Sequence, residues 1–140
     1  MARVLGVDLG ARRIGLACSD VTGTLASPLM VLERTGDVAR DHAAIVAAAR
    51  EAEAERIVVG LPLSLDGSDG PAARAARVEV DDLTAVAGPD LPVSAHDERL
   101  TTVSAERNLV AAGVKRRARR KIIDSAAAAV MLQSWLEGER

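Results

Sequence analysis

An α/β sandwich on a mixed five-stranded sheet, flanked by helices, is the fold class this sequence predicts. A strand-like run carrying Val4, Leu5 and Val7 and a second over 14–18 lie at hairpin distance, with Gly10, Arg12 and Arg13 between them. Two further apolar runs, 56–61 and 91–95, alternate with helical periodicities. No repeat, low-complexity linker or boundary interrupts the order, so residues 1–140 are expected to form one domain.

The first strand carries the feature that organises the rest. Val4, Leu5 and Val7 are strand formers, and Asp8 follows them with a charge. Burying an unpaired carboxylate is costly, so Asp8 needs a salt bridge, a bound cation or the oriented N–H groups of a glycine turn. Thr22 and Gly23 then supply a turn into a third strand, 25–32, where Pro28 predicts an edge position or a bulge.

Asp37 is placed to cap a helix over 38–54, with His42, Ile45, Val46 and Ala49 at helical spacing. The β-branched run 56–61 reads as a strand covered on both faces. A loop over 64–70, with Asp66 and Asp69 among glycines and serines, leads to Pro71 in the first turn of a helix over 71–87. Its expected inward residues are Ala72, Ala75, Ala76, Leu83 and Val86. Gly88 and Pro89 stop it before the fifth strand, 91–95, with His96, Asp97 and Glu98 just beyond that strand.

Thr101 or Thr102 can cap a helix running to Ala112, closed by Gly113. A final helix is predicted over 121–136, where Asp124, Ala127, Ala128, Met131 and Trp135 share one face. Asp124 is the charge on that apolar stripe. The last two strands are expected to join through right-handed crossovers.

Composition narrows the function classes. The chain has one Trp and neither Phe nor Tyr, so no aromatic platform is available for stacking single-stranded bases. Lone Cys18 excludes an internal disulfide framework and reads as a small buried hydrophobe. No signal peptide or apolar run of about 18 residues suggests a membrane, and a cytoplasmic location is expected. Net charge is only −2, but six of the seven residues from 115 to 121 are basic: Lys115, Arg116, Arg117, Arg119, Arg120 and Lys121. They leave about −8 on the remainder. That segregation fits either a phosphate-facing strip on an acidic body or a solvated basic loop.

Asp8, Glu98 and Asp124 stand at three unusual places. If the last helix packs over the first strand, the acids converge where the loops at the carboxyl ends of parallel strands gather. Clustered carboxylates repel one another and favour a divalent cation; hard oxygen donors without a His or Cys cluster select Mg²⁺ or Mn²⁺ over Zn²⁺. Taken singly, each acid also has an ion-pair explanation: Asp8 with Arg12 or Arg13, Glu98 with Arg99, Asp124 with Arg120 or Lys121. His96 reads as a hydrogen-bonded strand-end residue or a proton carrier, His42 as a packing or surface residue, and Trp135 as core or a dimer contact.

Four segments, GVDLGARRIGLACSD (6–20), VVGLPLSLDG (58–67), DERLTTVSAE (97–106) and KIIDSAAAAVMLQ (121–133), resemble the signature segments of the YqgF (RuvX) family, in the family's order and over nearly the whole chain. The resemblance implies a ribonuclease H-like three-layer fold. It implies a nuclease, either maturing the 5′ end of precursor 16S rRNA, in association with a ribosomal particle, or resolving four-way DNA junctions as a homodimer. Asp8, Glu98 and Asp124 match the family's metal triad, and Arg13, Arg99, Thr101 and Thr102 its polar positions. Arg12 and the basic strip complete the expected nucleic-acid contacts. The opening segment also resembles the first phosphate segment of actin-like sugar kinases, but this chain has neither a second such segment nor the second domain those proteins close around a nucleotide. A non-catalytic RNA-binding assembly factor is the remaining class.

Overall fold

A computed structural model of the chain describes residues 2–62, 70–97 and 116–138, with side chains left out over 116–124. Its five strands are β1 (Arg3–Leu9), β2 (Arg13–Ser19), β3 (Ala26–Glu33), β4 (Ala54–Leu61) and β5 (Val93–Asp97). The helices are α1 (Val38–Glu51), α2 (Pro71–Ala87) and α3 (Arg116–Gly138). The sheet order is β3-β2-β1-β4-β5, antiparallel across β1–β2–β3 and parallel across β1–β4–β5.

Strand alternation sorts the sheet into two faces. Leu5, Val7, Ile14, Leu16, Ile57 and Val59 pack with Ile45 and Ala49 of α1 and Leu83 and Ala87 of α2. Burying each large aliphatic side chain there contributes roughly 1.5–3 kcal/mol. The alternate residues Val4, Ala17 and Val58 pack with Ala128, Met131, Leu132 and Leu136 of α3. Gly6 belongs to this second face, and a Cβ there would lie 2.8 Å from Leu132 Cβ and 3.3 Å from the Ala128 carbonyl. The helix can lie this close because Gly6 has no side chain. Gln133 fixes the helix laterally: its Oε1 accepts from Ala26 N at 2.8 Å, and its Nε2 donates to Thr24 O at 3.0 Å.

Several expectations carry over. Pro28 lies on the edge strand β3, and the register slips there, with Leu16 opposite Met30 and Ala17 opposite Pro28. Asp37 caps α1 by accepting from Arg40 N at 3.2 Å. Other expectations need correction.

Helix α1 ends at Glu51, not 54; Glu53 takes a left-handed turn at φ 59°, and β4 starts at Ala54. No glycine marks this stop, because pairing of Ala54 with Arg3 imposes it. The inward stripe of α2 is Ala73, Ala76, Leu83 and Ala87, while Ala72, Ala75 and Val86 face outward. Alanines occur on both sides of this helix, so its phase is set by where Leu83 seats.

Strand β5 spans 93–97, not 91–95, because pairing with β4 from Ile57–Val93 to Leu61–Asp97 draws His96 and Asp97 into the ladder. The final helix begins at Arg116, so the basic residues 116–121 are helical and do not form a loop ahead of it. Arg and Lys are good helix formers, and nothing between them breaks the helix.

Candidate active site

Asp8 is half-buried near the carboxyl end of β1, on the face covered by α3. Its position follows from alternation: Leu5 and Val7 face α1 and α2, so Val4, Gly6 and Asp8 face α3. Asp8 pairs directly with Gly15 of β2. On its other side β4 continues from Val59, the partner of Val7, to Gly60, which pairs with His96 of β5. Gly15 faces Asp8 in the β1–β2 ladder and Gly60 follows the last β1–β4 pair on the other side, and neither contributes a side chain. Glycine within strands marks places where another group can approach the backbone closely.

Helix α3 runs against the direction of β1. Trp135 carries the Arg56 guanidinium 5.8 Å from its ring centre, and Arg56 is in register with Val4 at the start of β1. Ala128 and Leu132 sit over Gly6. Earlier residues of α3 thus advance toward the Asp8 end of the strand, and residue 124 is one helical turn before Ala128. Arg116, Arg117, Arg119, Arg120 and Lys121 occupy the first turns of α3, ahead of residue 124.

The β1–β2 turn is tightly drawn. Gly10 N donates to the Asp8 carbonyl at 3.2 Å, and a Cβ on Gly10 would stand 2.4 Å from the Arg13 carbonyl, so only glycine fits. Arg12, exposed, and Arg13, half-buried, project from this turn and the first residue of β2. His96 Nε2 lies 3.1 Å from Ser134 Oγ of α3, which gives it a structural partner on the same face as Asp8. Glu98, Arg99, Thr101, Thr102, Lys115, Asp66 and the helix expected up to Ala112 lie outside the described residues, and the side chain of Asp124 is not described. Among the described residues no three His, Cys, Asp or Glu side chains form a group able to hold a metal ion, and no helix is long and apolar enough to cross a membrane.

One polar constellation was not legible in the sequence. Arg34, just past β3, donates from Nε to the Gly10 carbonyl at 2.7 Å and forks onto Glu79 of α2 at 2.8 and 3.2 Å. His42 of α1, 1% exposed, reaches the same carboxylate at 2.8 Å. Burial opposes ionisation of Glu79, but the hydrogen bonds from Arg34 and His42, with the guanidinium charge, hold its carboxyl below the ordinary range. His42, expected in packing or on the surface, is thus a buried member of an ion-paired network. Cys18 is half-buried with its thiol 3.3 Å from the Ser19 carbonyl; burial pushes its pKa up, so it is not activated as a nucleophile.

The sheet order, the two helices on one face and the long helix on the other define the ribonuclease H-like class, with an acid at the carboxyl end of the first strand. RuvC of Thermus thermophilus, solved in complex with a Holliday junction substrate, superimposes with a TM-score of 0.59 at 20% identity, covering 98% of this chain and 95% of its own. At that identity the likeness is one of fold. The RuvX family model, described as Holliday junction resolvase, matches residues 2–138, and the chain belongs to that family. A relative from Kineococcus radiotolerans, named "Putative pre-16S rRNA nuclease", is 48% identical over 97% of this chain and 72% of its own. One of the same name from Myxococcus xanthus is 44% identical over 99% of this chain and 89% of its own.

Proposed function

We propose that this chain is a divalent-metal-dependent nuclease that hydrolyses phosphodiester bonds in structured nucleic acid, with the 5′ end of precursor 16S rRNA as its substrate. The observation that carries this reading is Asp8, half-buried, with Gly15 and Gly60 on the neighbouring strands, beneath the helix that bears residue 124. The donor chemistry fits a hard cation: Asp8, Glu98 and Asp124 are carboxylates, and Mg²⁺ or Mn²⁺ is the ion such a set selects. Held by those carboxylates, such ions would supply Lewis-acid activation of water and stabilisation of the leaving oxygen.

The protein's own residues do the rest. Asp8 supplies a carboxylate from a rigid central strand, and the glycines beside it let the nucleic-acid backbone approach. Arg12 and Arg13 engage phosphates next to the site, with Arg99, Thr101 and Thr102 as further contacts, and the strip from Lys115 to Lys121 binds phosphates at greater reach. Five cations in the first turns of α3 oppose the helix dipole, which favours anions at that end, so a polyanion relieves them. Recognition through backbone charge also suits a chain without an aromatic platform.

The names of the relatives favour RNA, while the description of the family favours a four-way DNA junction, which is the second reading. A junction has two-fold symmetry and calls for a homodimer with two sites; the RNA reading calls for presentation by a ribosomal particle.

The test is cleavage of precursor 16S rRNA and of a four-way junction in Mg²⁺ or Mn²⁺, with Asp8→Asn alongside. Loss of roughly a thousandfold or more in rate is expected in the variant, several kcal/mol of transition-state stabilisation. Binding should persist and weaken steeply with salt. Wild-type protein that binds but cleaves neither substrate, even with the ribosomal particle present, would make the chain a binding factor.

A further inference from the structure

Arg34 stands outside all four family-like segments, yet it is the residue that ties the β1–β2 turn to the helical layer. Its Nε donates to the Gly10 carbonyl at 2.7 Å, and its backbone N donates to the Arg12 carbonyl at 2.9 Å. Two carbonyls of the turn, one on each side of its tip, are thus held by one residue. The guanidinium is itself held by a two-pronged contact with Glu79, and Glu79 is braced from its other side by His42. Because an ionised carboxylate only accepts, His42 Nε2 donates to it.

The exposures matter to the argument. The side chains of Arg34, Glu79 and His42 are 16%, 20% and 1% exposed, so the network is largely shielded from water and its charge-assisted hydrogen bonds are strengthened. An exposed ion pair, such as Arg50 with Asp90 at 51% and 68% exposure, has no comparable hold. The turn that Arg34 grips joins Asp8 to Arg12 and Arg13. Gly10 donates back to the Asp8 carbonyl, so movement of Gly10 is transmitted to the residue that bears the candidate carboxylate.

We propose that Arg34, braced by Glu79 and His42, is a positioning residue of the active site: it fixes the Gly10 turn and thereby the placement of Asp8 and the two turn arginines. The proposal rests on the nuclease reading for its catalytic consequence, but not for its structural one. Arg34 acts through the turn and needs no contact with substrate. Lysine cannot reproduce the hold, since one ammonium cannot form the planar fork to Glu79 while also donating to Gly10 in the same geometry.

Arg34→Met, which keeps most of the apolar stem, and Arg34→Lys test this in the full chain. Amide hydrogen exchange is read first, at residues 10–13 and at the β1 and β4 core amides. In Arg34→Met the turn should exchange at least tenfold faster while the core is unchanged; unchanged exchange at the turn overturns the proposal, whether or not the protein cleaves anything. Uniformly faster exchange, core included, also overturns it, since that marks a general stabiliser.

Cleavage kinetics are read second. kcat should fall at least tenfold and the Mn²⁺ concentration for half-maximal rate should rise several-fold, with KM changed less than about threefold and Arg34→Lys recovering only part of the rate. A loosened turn with kcat and metal dependence unchanged would also overturn the positioning role. A wild-type protein without metal-dependent cleavage would defeat the nuclease reading and leave the exchange result to decide whether Arg34 holds the turn.

Discussion

The two faces of the sheet share every strand and differ in nearly everything else. The face toward α1 and α2 is filled by large aliphatic side chains: Leu5, Val7, Ile14, Leu16, Ile57 and Val59 against Ile45, Leu83 and Leu91. The face toward α3 sets Val4, Gly6, Ala17 and Val58 of the sheet against Ala128, Met131, Leu132 and Leu136, and the bare backbone of Gly6 lets helix and sheet approach closely. The first face combines this aliphatic burial with the ion-paired network of Arg34, Glu79 and His42 that links α1 and α2. The second gives up side-chain volume to bring backbone, helix and carboxylate together. One strand can serve both ends because its side chains alternate.

That contrast can be broken from either side. Leu16→Ala on the filled face should cost about 2–5 kcal/mol, measured by denaturant unfolding, with the folded fraction keeping its cleavage rate. Gly6→Ala on the close face should cost about 1–3 kcal/mol, because the new methyl meets Leu132 Cβ at 2.8 Å and the helix must shift. Here the rate should fall more than stability explains, since α3 carries residue 124. Equal effects on rate from the two substitutions would show that the faces are not divided in this way.

A subtler difference involves the network under the turn. The folded pKa of Glu79 lies below its unfolded one, so its contribution is complete above the ordinary glutamate pKa of about 4.3 and is lost as pH falls through the lower folded value. Glu79→Gln removes this titration. Its unfolding free energy should be lower than wild type at neutral pH and should converge with it on acidification, by a margin on the order of 1–3 kcal/mol for a hydrogen-bonded charge. A constant gap across pH 3–7 would place the loss in packing and not in the ion pair.

Much of the fold was legible because it is written locally. The Gly10 turn, Pro28 on the edge, the Asp37 cap and the stripe of Ala127, Ala128 and Met131 each follow from one residue type or one period. The position of Asp8 within β1 was legible for the same reason: a carboxylate within a strand is an anomaly that a single sequence displays. The inward phase of α2 was not, because Ala72, Ala73, Ala75 and Ala76 all satisfy some apolar stripe. The extent of β5 was not either, since His96 and Asp97 are poor signals of a strand and joined it through the backbone of β4.

By itself the sequence determined a mixed α/β sheet, an acid on its first strand, and a basic segment ahead of an apolar helix, because propensity, capping and charge are properties of neighbouring residues. Only the tertiary structure decided that Gly15 and Gly60 lie on the strands either side of Asp8, that the basic residues begin α3, and that Arg34, Glu79 and His42 meet beneath the turn. Those three residues lie as many as 45 positions apart. No local pattern encodes their contact; it exists because two helices pack on one face and bring a half-buried carboxylate where a guanidinium and an imidazole satisfy it.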